Sequence, residues 1–252
     1  MRFASIGSGS KGNATLVEAD DTLVMVDCGF SARETTRRLA RLGLAPEQLS
    51  AILVTHEHSD HSAGVARLSR QYRIPVYLTY GTAASGRCDG AHELRCFNCD
   101  DRFEVGALAV QTVAVPHDAL EPCQFRLSWQ QRSLGILTDL GSVTPHVVNS
   151  YRGCNSLLLE FNHDTRLLAG GTYPPQLKRR VGGDWGHLNN EQAADLLREL
   201  DCVAELNHLV VAHISENNNS RACAEAALAA VLESLEGVTW ACQSEGFDWL
   251  AV

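Results

Sequence analysis

Thr55-His56-Glu57-His58-Ser59-Asp60-His61 follows directly on the apolar run Ala51-Ile52-Leu53-Val54. Three imidazoles and two carboxylates therefore crowd into six residues, at the end of a segment that reads as a buried strand. Desolvating so many titratable groups together is costly unless something compensates them. The simplest compensator is a cation. In an extended chain, residues two apart point the same way, so His56 and His58 can reach one ion together. Asp60 and His61 fall where the chain turns into a helix and can face a second ion. Neutral imidazole and carboxylate are natural ligands for Zn²⁺, at about 2.0–2.2 Å.

This segment alone cannot complete two coordination shells. Three other apolar runs end on a residue of ligand type: AVQTVAVPHDA on His117, LGILTDLG on Asp139 and NHLVVAHIS on His213. Each such residue stands where a strand leaves a sheet, and each is a further candidate ligand.

The chain has 252 residues, read as a single domain over 1–252, and an apolar fraction ordinary for a globular protein. No run of about 18 apolar residues appears, so no membrane span is expected. The start, MRFASIGSGSKGN, lacks the apolar centre of a secretory signal. With an odd count of nine Cys, this predicts a reducing, cytoplasmic setting rather than a disulfide framework. The net charge of −9 argues against a broadly basic nucleic-acid-binding surface, though not against a local one.

Periodicity and punctuation predict strands at Arg2–Ile6, Ala14–Glu18 and Thr22–Val26, with Asp20-Asp21 as a hairpin turn. A helix is expected over Ser31–Leu42, with Ser31 as N-cap, Glu34 completing a capping box and Gly43 as the stop. Further strands are expected at Ala51–Val54, Pro75–Thr79, Ala107–Val115, Cys123–Trp129, Ser133–Thr138, Leu157–Glu160 and Leu206–Ala212. Helices are expected at Ser62–Gln71, Asn190–Leu200 and Ser220–Leu235. Strands clustered in both halves with helices between them suggest a layered α/β sandwich.

THEHSDH with the downstream HDA, TDLG and AHIS segments resembles the metallo-β-lactamase-fold hydrolases, over nearly the whole chain. The resemblance implies a four-layer αββα sandwich with the site at one edge of two sheets. It implies that His56, His58 and His117 hold one metal, that Asp60, His61 and His213 hold a second, and that Asp139 bridges them. Asp27, ending TLVMVDCG, matches an Asp that orients a ligand from behind. The metals implied are two divalent ions, Zn²⁺ or Mn²⁺ or Fe²⁺.

The flanking segments SIGSGSKGNATLVE, VDCGFSARE, LEFNHD, YPPQLKRRV, GHLNNEQAADLL and AHISENNN are similar in order to the WalJ/YycJ branch. Asn189 and Phe161 depart from that branch's commoner residues. The branch implies a 5′→3′ exonuclease on double-stranded DNA ends, with a role in mismatch repair. In it, two ions would share a water and generate hydroxide at neutral pH. Two of the segments also resemble the tRNA 3′-processing endonucleases, which makes His187 the general-acid candidate and Glu160 its partner. Asp60 joins them as a catalytic candidate.

Substrate contacts are expected from Ser10, Lys11 and Asn13 in SGSKGN, from Asn162 in LEFNHD and from Asn217 in ENNN. Lys178-Arg179-Arg180 is the densest basic cluster. Cys88, His92, Cys96 and Cys99 fall close enough together for a structural zinc. The rival readings are a hydrolase of a small phosphodiester or thioester, and a non-catalytic metal-dependent binding module.

Overall fold

The computed structural model describes residues 1–200 and 205–252. β1 (Arg2–Gly7), β2 (Ala14–Ala19) and β3 (Thr22–Val26) form an antiparallel meander, with Asp20 at φ +51° in the tight turn. α1 (Ala32–Arg41) returns the chain to β4 (Ala51–Leu53), parallel to β3. The short helices α2 (Ser59–Ser62) and α3 (Val65–Tyr72) lead to β5 (Pro75–Thr79), and α4 (Tyr80–Ala84) leads to β6 (Glu93–Phe97), both parallel additions.

The second sheet opens with antiparallel β7 (Arg102–Val105), β8 (Leu108–Ala114), β9 (Cys123–Trp129) and β10 (Arg132–Leu137). After α5 (Pro145–Tyr151) comes β11 (Ser156–Glu160), followed by α6 (Thr165–Gly170), α7 (Pro175–Val181) and α8 (Asn190–Leu200). β12 (His208–Ala212), α9 (Arg221–Leu228) and β13 (Thr239–Trp240) complete it, with β10 to β13 parallel. β14 (Phe247–Ala251) then pairs with β1 on the other sheet. Each sheet has seven strands.

The sheets face each other across one apolar core. Phe3, Val17, Val24 and Leu53 from the first meet Val110, Phe125, Ile136, Leu158 and Val210 from the second. Leu39 of α1 and Leu68 of α3 cover the outer face of the first sheet, over Leu16, Met25 and Ile52. Tyr151 of α5, Leu197 of α8 and Leu228 of α9 cover the second, over Leu137, Leu157 and Val211. The result is the four-layer αββα sandwich. Strands β3, β4 and β11 are buried on both faces, which explains their unbroken apolar runs.

Local differences from the sequence reading have identifiable causes. Ser31 caps α1 by accepting from Glu34 N, but the Glu34 carboxylate pairs with Arg37 and Arg38 instead of returning to the cap, so the box is half made. The helix expected at Ser62–Gln71 is two helices, with Gly64 between them. A Cβ there would lie 2.0 Å from the Phe30 carbonyl oxygen, so only glycine lets the two backbones meet. The last helix stops at Leu228 rather than Leu235. β6 and β7 were not foreseen: β6 is exposed at every position but Phe97 and carries no alternating signal. None of the eight cysteines among the described residues is in a disulfide. Among those residues no helix is long and apolar enough to cross a membrane.

The Gly64 approach yields a test. Gly64→Ala is expected to destabilise the fold by about 1–3 kcal/mol through overpacking. Gly170, with open space around it at the end of α6, is the control, and Gly170→Ala should leave the melting temperature level or slightly raised. Equal melting temperatures for Gly64→Ala and the parent would contradict the close-approach account.

Candidate metal centre

Five of the segments that build the site leave parallel strands at their carboxyl ends. Asp27 follows β3, Thr55 to His61 follow β4, Asp139 follows β10, Glu160 ends β11 and His213 follows β12. His117 arrives after β8. Loops at the carboxyl ends of parallel strands are the common location of ligand sites in α/β sheets. Three of these residues hold left-handed backbone: Asp27 at φ +62°, Asp139 at +55° and His213 at +50°. Such conformations cost non-glycine residues about 1–3 kcal/mol each and concentrate where a side chain must be aimed.

The side chains converge in four overlapping groups: two are linked through Asp139, one as His56, His61 and Asp139 and one as Asp139, Glu160, His187 and His213, and the other two carry the remaining candidate ligands. His56, His58 and His117 form one, with His58 Nδ1 at 3.0 Å from His56 Nε2 and 3.2 Å from His117 Nε2. Asp60, His61 and His213 form the other, with Asp60 Oδ2 at 3.5 Å from His61 Nε2 and 3.8 Å from His213 Nε2. Asp139 stands between them. Its Oδ1 is 3.9 Å from His117 Nε2, and its Oδ2 is 2.9 Å from His61 Nε2. The offered ligand atoms within each set all lie within 4.8 Å of one another.

The rear nitrogens of three imidazoles are fixed. His61 Nδ1 donates to Asp27 Oδ2 at 2.7 Å, His56 Nδ1 lies 2.9 Å from Thr55 Oγ1, and His117 Nδ1 donates to the Gly186 carbonyl at 2.9 Å. Thr55 Oγ1 in turn donates to Asp27. These partners hold the rings so that Nε2 faces the cluster, the arrangement that makes imidazole a good ligand.

Burial and charge pull these groups in opposite directions. Burial pushes the His213 imidazolium down, but Asp139, Asp60 and Glu160 around it raise its pKa to about 10. Burial acts likewise on His61, and Asp139, Asp27 and Asp60 hold it well above its ordinary value. Burial raises Asp139, yet His213 and His61 keep it well below the usual carboxylate range. His56 is pushed well below its ordinary value, first by burial and then by His61. The cluster thus demands positive charge, from protons or from a cation. Two buried atoms of the cluster, Asp139 Oδ2 and His213 Nδ1, have no hydrogen-bond partner, though charged neighbours lie at 2.9 and 3.5 Å. The donor set and these orphaned atoms fit divalent cations.

Glu160 and His187 are in contact, with His187 Nδ1 at 3.2 Å from Glu160 Oε2. The other oxygen of Glu160 accepts from Leu140 N at 2.7 Å and Leu188 N at 3.2 Å, so the carboxylate ties three loops together. Burial raises its pKa, but His187 and then His213 outweigh that and bring it to about 2. His187 lines a cavity of about 380 Å³ together with His58, Asp60, Asp139 and His213.

Of the anticipated substrate contacts, Ser10 and Asn162 line this cavity. Asn13 does not. It is buried, exchanging hydrogen bonds with the Gly9 backbone and placing Nδ2 at 3.1 Å from His61 Nε2, so it serves the scaffold. Lys11 Nζ pairs with Glu216 at 2.6 Å, and Lys11 N donates to Gln243. Asn217 points to the Tyr173 hydroxyl, while its neighbour Asn218 lines the cavity. The structure adds Tyr173, Leu177, Asp118 and Arg180, and pairs Arg180 with Asp118. Lys178-Arg179-Arg180 pointed at α7, but nothing in the sequence pointed at its contact with Asp118.

Cys88, His92, Cys96 and Cys99 do not assemble a zinc site. Cys88 is buried in the core beneath the first sheet, Cys96 is exposed on β6, and Cys99 Sγ faces the Pro122 carbonyl. The only clusters of ligand type among the described residues are those of the centre above.

Residues 22–214 match the family described as a beta-lactamase superfamily domain. The chain is 35% identical over 237 residues to the exodeoxyribonuclease YycJ of Bacillus anthracis, covering 92% of this chain and 89% of that protein. It is 32% identical over 227 residues to the exodeoxyribonuclease WalJ of Streptococcus pneumoniae serotype 2, covering 87% and 83%. Among solved structures, the metallo-beta-lactamase fold protein YhfI from Bacillus subtilis superposes with a TM-score of 0.75 over 99% of both chains at 16% identity, a likeness of fold. With a family match across most of its length, full-length relatives and the four-layer sandwich, the chain belongs to the metallo-β-lactamase superfamily, in its YycJ/WalJ branch.

Proposed function

We propose that this metal-dependent hydrolase is a phosphodiesterase that degrades DNA from duplex ends, as a 5′→3′ exonuclease with two cations. The observation that carries this reading is the convergence of two ligand sets on Asp139, beside a His187–Glu160 pair on the cavity wall. The exodeoxyribonuclease names of relatives spanning most of the chain support the substrate class.

In this reading His56, His58 and His117 would hold one cation and Asp60, His61 and His213 the other, with Asp139 as a ligand shared between them. Bound there, two divalent cations supply Lewis acidity at the phosphoryl oxygens and lower the pKa of a water to near neutrality. Asp27, Thr55 and the Gly186 carbonyl keep the ligand rings in place. The departing 3′-oxygen of a nucleotide is a poor leaving group and needs a proton. His187 would supply it, with Glu160 at Nδ1 fixing the ring. Ser10, Asn162 and Asn218 line the place where the sugar–phosphate strand would lie.

Incubated with 5′-phosphorylated duplex DNA and Mn²⁺ or Zn²⁺, the protein should release mononucleotides. His58→Ala should lose that activity by at least about 100-fold, the usual order for removing a metal ligand or its support. No release with either metal would overturn the reading, and hydrolysis of bis-p-nitrophenyl phosphate alone would favour a small-diester hydrolase.

The proton-donor role has its own signature. His187→Ala should slow DNA hydrolysis by about 10²–10⁴-fold. On bis-p-nitrophenyl phosphate, whose phenolate leaves without a proton, the same variant should retain most of the parental rate. Equal losses on both substrates would assign His187 to metal binding instead.

A further inference from the structure

All but one of the four tryptophans are engaged. Trp129 Nε1 donates to Asp20 at 3.0 Å, Arg221 lies over the Trp240 ring at 4.8 Å, and Arg2 lies over Trp249 at 4.2 Å. Trp185 is 64% exposed, and its ring has no aromatic, cation–π or hydrogen-bond partner among the described residues. An indole left in water forgoes the large apolar burial that normally draws it inward.

The backbone that carries this ring is locked. A Cβ on Gly141, two residues past Asp139, would come within 2.4 Å of the Asp184 carbonyl oxygen and 2.6 Å of Trp185 Cα. Gly186 N donates to the Gly183 carbonyl at 2.8 Å, and His187 N donates to the Val181 carbonyl at 2.9 Å. The Gly186 carbonyl accepts a hydrogen bond from His117 Nδ1. The turn that displays Trp185 is therefore the same rigid turn that orients His117 and delivers His187. It folds back on the end of α7, which carries Lys178, Arg179 and Arg180.

We propose that Trp185 is a stacking platform for a nucleobase beside the scissile phosphate, an inference that rests on the nuclease reading of the adjacent centre. The chemistry favours a nucleic-acid strand over an apolar protein segment. A single exposed ring, on a turn whose backbone packs against the basic end of α7, suits a strand of alternating bases and phosphates, and every base presents a face that can stack without regard to sequence. Rigid backbone around a free ring means that little ordering is required when the base arrives.

The test uses the metal-loaded protein and a 5′-phosphorylated oligonucleotide duplex. Trp185→Ala should raise KM on the order of tenfold, the factor expected for one lost base–aromatic stack, while kcat changes little. Trp185→Phe, which keeps a ring, should recover most of that loss. Matching melting temperatures and metal contents establish that both variants are folded and loaded. In a slow His187→Ala background, adding the duplex should quench tryptophan fluorescence, and removing Trp185 as well should abolish the quench. If the parent degrades DNA but Trp185→Ala leaves KM and the quench unchanged, the platform is wrong and the nuclease reading stands. If the parent degrades no DNA, the nuclease reading fails and the platform falls with it.

Discussion

Three buried carboxylates, Asp27, Asp139 and Glu160, share one small volume with the buried imidazoles of His56, His61, His117 and His213. That concentration of charge is the constraint on which the rest of the molecule depends. Water cannot screen it, and an unpaired buried charge is among the most destabilising features a fold can contain. Without a cation, the balance falls to protons on His61 and His213, both held above their ordinary pKa by neighbouring carboxylates. Asp139 Oδ2 and His213 Nδ1 still go without hydrogen bonds. Cations satisfy the same carboxylates and release the imidazoles to act as neutral donors, so metal binding and proton release are coupled.

The fold is arranged to keep this cluster in place. Every candidate ligand stands just beyond a strand, on a loop or on the short α2 that leaves one of two sheets, so the packing between the sheets sets the separations. The β1–β2 connection and the segment after β3 hold the THEHSDH stretch by backbone contact. Asn13 N donates to the Asp60 carbonyl at 2.8 Å, Cys28 N to the His61 carbonyl at 2.7 Å, and Gly64 N to the Cys28 carbonyl at 2.8 Å. Gly29 permits this contact, because a Cβ there would lie 1.8 Å from the Asp60 carbonyl oxygen. Left-handed backbone at Asp27, Asp139 and His213 is a further cost borne for aim. The site is thus a product of close backbone approach as much as of its side chains.

Much of this was legible in the sequence because it is local. A run of His and Asp after an apolar strand states its chemistry within seven residues, and each single ligand elsewhere ends an apolar run. The strands buried on both faces, such as β3 and β11, also announce themselves. What was not legible depends on contacts between distant segments. Asn13 and Lys11 sit in a glycine-rich loop that could cradle a phosphate, yet one is bonded to Gly9 and the other to Glu216. The Arg180–Asp118 pair joins α7 to the residue after His117, and no spacing rule links them. The cysteine cluster failed for a related reason. Its spacing was right for zinc, but β6 and the core place Cys88 and Cys96 in different environments.

Counting bound metal by native mass spectrometry, after loading with zinc and removal of excess, tests the central claim most directly. Two ions per chain are expected, and one or none in a chain carrying Asp139→Asn. A parent that binds no ion, or retains only one under saturating zinc, would contradict the proposal that the buried cluster is a two-cation centre.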